Sequence, residues 1–254
     1  MHEFSLAVEP RQTNAMAGVP ALAAAAALPS ASPVLQATGL TKRFGQTEAL
    51  RGVDLAIRPG EMLAIMGPSG SGKSTLLHCL AGILAPDGGQ VVFDGRRIDD
   101  LPDAARSELR RTRFGFIFQF GQLIPELSAV ENVALPLMLN GTRRAEATAA
   151  AAAWFPRLGI EGLEARRPGE LSGGQAQRVA IARAMVIAPG VVFADEPTGS
   201  LDSLSGEQVM ELLTAAARQE GVAVVLVTHE PRVAAYADRE IVVRDGRVSS
   251  GALA

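Results

Sequence analysis

Met62-Leu63-Ala64-Ile65-Met66 runs without a break into Gly67-Pro68-Ser69-Gly70-Ser71-Gly72-Lys73-Ser74-Thr75, and then into a segment that reads as a helix through Leu80. A near-continuous apolar run of this length suits a buried strand. Strand, glycine-rich loop and helix in that order are the parts of a phosphate-binding loop. Glycines let the chain turn closely around a phosphate, successive backbone N–H groups point into the concavity, and the helix terminus favours its negative charge. Lys73 supplies a mobile cation. Ser74 offers a hydroxyl to Mg²⁺, a small ion that prefers oxygen ligands shared between protein and phosphate. His78 and Cys79, on the ensuing helix, read as packing residues.

A second signal lies downstream. Val191-Val192-Phe193-Ala194 reads as another buried strand, ending in Asp195-Glu196 at the sheet edge where ligands of open α/β folds collect. Asp195 can bind Mg²⁺ through its hydration shell, and Glu196 can receive a proton from an attacking water. Further strands are expected at Val53 to Ile57, where apolar and polar positions alternate, and in the apolar runs Phe114 to Phe118 and Val222 to Val227. Helices are expected over Arg143 to Leu158, Gly174 to Ile187 and Gly206 to Gln219. The order points to an α/β nucleotide-binding core with a helical insertion between about Gln119 and Gly169.

The chain of 254 residues is long enough to bury a substantial core. With 24 Lys and Arg against 27 Asp and Glu, the net charge of -3 offers no broad attraction for nucleic acid. The single cysteine, Cys79, excludes an intramolecular disulfide and a cysteine-cluster metal site, which fits a reducing compartment. Residues 1–33 are rich in alanine and proline without a recurring polar face, and read as a disordered extension. Its apolar stretch from Ala15 to Leu28 is too short to cross a bilayer and is interrupted by Gly18 and Pro20. It matches a signal peptide poorly, since only Arg11 supplies positive charge upstream.

Leu171-Ser172-Gly173-Gly174-Gln175, between the phosphate loop and Asp195-Glu196, resembles the signature of ATP-binding cassette proteins, and the resemblance spans residues 34–248. It implies a P-loop NTPase core with an antiparallel β subdomain and a helical subdomain at about residues 120–170, followed by a short tail at 249–254. It also implies an ATPase that uses ATP and Mg²⁺. By this resemblance Gln119 sits in the loop that senses the γ-phosphate, contacting Mg²⁺ or the attacking water. His229 of Thr228-His229-Glu230 holds the γ-phosphate and helps place Glu196. Ser200-Leu201-Asp202 is similar to the segment that contacts the opposite subunit. Phe44 looks like the aromatic that packs on adenine; tyrosine is commoner there, so Phe44 keeps the stacking without a phenolic hydrogen bond. The resemblance further implies a head-to-tail homodimer with two sandwiched ATP molecules, each held by one subunit's Gly67 to Thr75 loop and the other's Ser172 to Gln175 loop. A polar, glycine-rich loop before a helix can indeed offer a hydroxyl, N–H groups and a positive helix end to phosphate.

Phe118-Gln119-Phe120-Gly121-Gln122-Leu123-Ile124-Pro125-Glu126-Leu127-Ser128, followed by Val130-Glu131-Asn132-Val133, resembles the ATPases of lipoprotein-release, macrolide-export and antimicrobial-peptide-export transporters, and a related cell-division ATPase. That implies a cytoplasmic protein, peripheral on the inner face of the cell membrane through a separately encoded permease. Leu123, Ile124 and Leu127 are candidate permease contacts, with core packing the competing reading. Regulation of a cell-division or cell-wall complex is the alternative role. A DNA-repair or chromosome-structure cassette fits less well, because the interval between Gln119 and Ser172 is short and lacks sustained heptads. Trp154 and Phe155 read as packing residues, Tyr236 as a local one, and the paired arginines as solvated surface.

Overall fold

The computed structural model describes residues 32–250. All but the last two positions of the extension expected over residues 1–33 lie outside the described residues. In chain order the elements are β1 (Leu35–Phe44), β2 (Thr47–Ile57), β3 (Met62–Met66), α1 (Lys73–Leu80), β4 (Gly88–Phe93), β5 (Arg96–Arg97), α2 (Asp103–Arg113) and β6 (Phe114–Phe118). Then come α3 (Ala129–Leu139), α4 (Arg144–Ala152), α5 (Trp154–Arg157), a 3₁₀ turn (Pro168–Glu170), α6 (Gly173–Met185), β7 (Val191–Asp195), α7 (Ser203–Glu220), β8 (Ala223–Val227), α8 (Pro231–Ala234), β9 (Arg239–Arg244) and β10 (Arg247–Ser250).

The continuous apolar runs form the middle of a six-stranded sheet of order β10-β9-β3-β8-β7-β6. Its strands are parallel except β10, which closes the edge antiparallel to β9. Side chains alternate across a strand, so a sheet covered on both faces needs apolar residues at every position. Leu63, Ile65, Val191, Phe193, Ala223 and Val225 point into one core, shared with α1 and the second sheet. Met62, Val192, Ala194, Val224 and Leu226 point into the other, shared with α3 to α7. The second sheet is four-stranded and antiparallel, of order β2-β1-β4-β5. In β2 the expected alternation is present, with Val53, Leu55 and Ile57 buried between exposed neighbours. The result is a P-loop NTPase core with an antiparallel β subdomain and a helical subdomain.

Two local outcomes differ from the sequence reading. The helix expected over Arg143 to Leu158 is broken into α4 and α5 at Ala153. Pro156 lacks an N–H and its ring crowds the carbonyl of Ala152, which disfavours a continuous helix there. Trp154 and Phe155 both bury in the helical core, and Arg157 lies over the Trp154 ring at 3.9 Å. The helix expected from Gly206 starts earlier, because Asp202 caps it: Oδ1 accepts from Ser205 N at 3.0 Å and Oδ2 from Ser205 Oγ at 2.6 Å. Neither α2 nor α3 is among the individual helices read from the sequence, although α3 falls within the helical insertion expected between about Gln119 and Gly169. The first buries no residue, and the second carries Pro136 inside it, which masked a capping box between Ser128 and Glu131.

Candidate functional site

The loop between β3 and α1 wraps one end of a cleft of about 800 Å³, lined by Gly67 to Thr75 together with Glu196, His229, residues of β2 and the β9-β10 turn. Its tight turns need glycine. At Gly67 (φ 144°) a Cβ would lie 2.1 Å from the Val243 carbonyl oxygen, and at Gly72 (φ 108°) 2.4 Å from that of Ala49. Lys73 is nearly buried, and its Nζ donates to the carbonyls of Gly67 and Pro68, both at 2.9 Å. Ser71 Oγ is buried with no hydrogen-bond partner among the described residues. A buried hydroxyl left unpaired inside a concave loop with an ammonium group suits an anionic oxygen as its missing partner.

Asp195 and Glu196 emerge where β7 ends. Burial pushes the Asp195 carboxyl above the usual carboxylate range, against the opposing pull of His78, Lys73 and a hydrogen bond from Ser74. Ser74 and Asp195 thus lie near one another, a hydroxyl and a carboxylate. Among the described residues no group of three or more His, Cys, Asp or Glu side chains could hold a metal. That sparse, oxygen-only set fits Mg²⁺, which keeps waters and takes its other ligands from phosphate. Because a raised folded-state pKa stabilises a protein below the unfolded pKa and ceases to as pH rises through the folded one, ionised Asp195 costs stability at neutral pH. Asp195→Asn is therefore expected to raise the unfolding temperature in Mg²⁺-free buffer at about pH 7, with the gain vanishing at about pH 3, below the unfolded aspartate value. A pH series of thermal melts checks this; an unchanged or lowered melting temperature at neutral pH would contradict the burial cost.

Glu196 has φ 47°, a left-handed conformation uncommon for a side-chain-bearing residue, and it re-aims the carboxylate away from the strand's pleat. Its Oε1 lies 3.0 Å from Nδ1 of His229, which follows β8. Gln119, after β6, comes to the same place. A Cβ built at Gly199 would sit 2.9 Å from Gln119 Nε2 and 3.3 Å from Glu196 Oε2, so amide and carboxylate flank one small space that only glycine leaves open. Ser200 Oγ donates to the Gln119 carbonyl at 2.7 Å. Glu196 and His229 both line the cleft around Lys73, whereas Gln119 stands beside Glu196 without lining it.

Ser172, Gly173, Gly174 and Gln175 lie elsewhere. Ser172 caps α6 in a reciprocal box: its Oγ accepts from Gln175 N at 3.2 Å and its N–H donates to Gln175 Oε1 at 2.9 Å. The hydroxyl proton stays available to an acceptor outside the chain. Gly173 packs against Leu201 and Gly174 against Ser205, which sets the loop beside the Asp202 cap. None of these four residues lines the cleft around Lys73. Phe44 does not line it either; half-exposed at the end of β1, it pairs in register with Thr47, which does. Sequence reasoning missed the wall formed by Thr47, Glu48, Ala49 and Arg51 and by Asp245 and Gly246 of the β9-β10 turn. The Asp245-Gly246 pair is a hairpin signal, but nothing in it says what the hairpin faces.

An apolar groove of about 460 Å³ runs between the helical subdomain and β6, lined by Ile83, Phe116, Phe118, Leu135, Pro136 and Leu139 and by Arg110, Arg111 and Arg183. Leu123, Ile124 and Leu127 do not line it. Leu123 packs on the helical core, whereas Ile124 and, more fully, Phe120 are exposed.

A family model described as ABC transporter matches residues 50–199. The ATP-binding cassette MJ0796, in a dimeric post-hydrolysis state bound to ADP and Pi, is similar over 85% of this chain and 98% of its own, at 39% identity and a TM-score of 0.77. A second dimeric structure of MJ0796, described as a bacterial ABC transporter cassette, shares 40% identity over 85% of this chain and 96% of its own, with a TM-score of 0.77. The cbiO1 protein of Clostridium perfringens, part of the ABC transporter complex cbiONQ, shares 32% identity over 86% of this chain and 87% of its own, with a TM-score of 0.79. The chain belongs to the ABC transporter family and is an ATP-hydrolysing enzyme. Among the described residues no helix is long and apolar enough to cross a membrane.

Proposed function

We propose that this chain is the ATPase subunit of a membrane exporter of the lipoprotein-release, macrolide-export or antimicrobial-peptide-export type. It acts as a head-to-tail homodimer with two ATP molecules between the subunits, at the cytoplasmic face of the membrane. The observation that carries the dimer is the separation of two phosphate-directed loops on one chain: Lys73 lines the nucleotide-sized cleft and Ser172 does not. Two-fold symmetry brings the second loop to the first on the other subunit, so both sites form together. The dimeric state of MJ0796 supports this reading. Gly67 to Thr75 cradle the phosphates, Phe44 stacks on the base, and Ser172 to Gln175 with Asp202 close the site from across the interface. Ser74, Asp195 and Gln119 hold Mg²⁺, which supplies charge neutralisation at the phosphates. Glu196 takes the proton of the attacking water, and His229 positions Glu196 and the γ-phosphate.

The exporter assignment rests on the segment Phe118 to Ser128. A separately encoded permease docks in the apolar groove, whose lining contains three arginines and no acidic residue. Leu139 is 59% exposed at its rim, so Leu139→Asp places a charge where an apolar contact must desolvate without disturbing the core. Co-purification with the membrane complex is expected to fall by about tenfold or more, with the unfolding temperature unchanged. Full assembly of a folded variant would remove the groove from the docking surface.

A further inference from the structure

The turn that follows Gln119 is held by side chains that its own function does not explain. Gln177, buried on α6, donates from Nε2 to the Phe118 carbonyl at 2.9 Å. Six residues further along α6, Arg183 donates from Nη2 to the Gly121 carbonyl at 2.7 Å and from Nη1 to that of Gln122 at 2.8 Å. Gly121 and Gln122 both have left-handed backbones, at φ 66° and 45°, and the second carries a side chain. Such a conformation persists where the surroundings fix it. The Arg183 side chain is partly buried, which pushes its guanidinium pKa down. Among the described residues both of its hydrogen bonds go to backbone carbonyls of the turn, so the guanidinium fork ties two successive residues to α6. Gln119 lies between the two anchor points. Downstream, Asn132 of α3 holds the rest of the segment through Ile124, Leu127 and Ser128.

We propose that Arg183 is a positioning residue which, with Gln177, clamps the Gln119 turn to α6, so that the turn and the helix headed by Ser172 move as one body. Arg183 and Gln122 also line the apolar groove. A segment seated in that groove therefore bears on the clamp, and through it on Gln119 beside Glu196. The inference rests on the reading of Gln119 as a contact to Mg²⁺ or the attacking water.

The test compares Gln119→Ala, Arg183→Met, Arg183→Lys and the double variant Gln119→Ala/Arg183→Met, with Mg-ATP as substrate of the full chain. Arg183→Met is expected to lower kcat by about tenfold to a hundredfold, the scale of a displaced catalytic group, and to leave KM for Mg-ATP within about twofold because the phosphate loop is untouched. Arg183→Lys, reaching one carbonyl, restores part of the loss. In the Gln119→Ala background Arg183→Met costs no more than about a further twofold. If Gln119→Ala slows turnover while Arg183→Met does not, or if the two losses multiply, the clamp is wrong. If Gln119→Ala is itself without effect, the reading of Gln119 falls instead. Amide hydrogen exchange then decides the clamp separately: faster exchange confined to residues 118–124 in Arg183→Met supports it, and unchanged exchange there overturns it.

Discussion

Glu196→Gln is expected to slow ATP hydrolysis by about 10²–10⁴-fold, the usual scale for losing a general base, while Mg-ATP binding stays within a few-fold of the natural chain. Glutamine keeps the side-chain length and an acceptor oxygen, so the contact with His229 Nδ1, 3.0 Å from Glu196 Oε1, can persist. The left-handed backbone at residue 196 is set by its surroundings, including the bond from its N–H to the Val227 carbonyl at 2.9 Å, and is unaffected by the exchange. Only the capacity to take a proton is removed. Since ATP is proposed to bridge two subunits, slowed hydrolysis should also prolong the closed state and raise the dimer population through binding linkage. Single-turnover kinetics and equilibrium sedimentation with Mg-ATP test the two links apart. Turnover at the natural rate would remove Glu196 as the base; slow turnover with intact binding and no stabilised dimer would sink the sandwich while leaving the base in place.

The parts of this molecule that could be read from its sequence are those where a single local rule acts. Met62 to Met66 is apolar throughout because both faces of its strand are covered, and Gly67 and Gly72 are glycines because neighbouring carbonyls leave no room for a Cβ. What resisted reading depends on distant partners. Arg183 looks like any solvated arginine of a helix until its carbonyl partners, some sixty positions earlier in the chain, are known. The short α5 lies at the end of an alanine-rich run whose helix propensity suggests one continuous helix, although Pro156 breaks it. Gly115 carries no sequence signal of its own, yet a Cβ there would stand 2.6 Å from the Ala184 carbonyl, so it sets how closely α6 approaches β6. That close approach places the signature helix against the strand that delivers Gln119. Phe44 is a different case: its position on an exposed strand end is compatible with base stacking, but burial gives no reason for an aromatic there.

Lys73→Ala should have the largest effect on nucleotide affinity, because it removes the one lysine of the phosphate loop from a nearly buried position. Truncating one partner of a buried, hydrogen-bonded charge pair costs about 2–5 kcal/mol, which is about 30-fold or more in Kd. The loss has two sources that the geometry separates. One is the missing attraction for phosphate oxygens. The other is the release of the Gly67 and Pro68 carbonyls, each 2.9 Å from Nζ, which otherwise hold the ammonium group inside the turn. Lys73→Arg should not rescue binding, since a planar fork cannot take the place of a compact ammonium in a loop where Gly67 and Gly72 already lie against neighbouring backbone. Calorimetric titration with Mg-ATP, paired with thermal melts, distinguishes a binding loss from a folding one. If Lys73→Ala bound Mg-ATP and turned it over at near-natural values, the phosphate-directed role of Lys73 would have to be given up; near-natural values for Lys73→Arg would overturn only the need for a compact ammonium group. If binding were lost together with a large drop in unfolding temperature, the two carbonyl bonds would be supporting the fold rather than poising the loop.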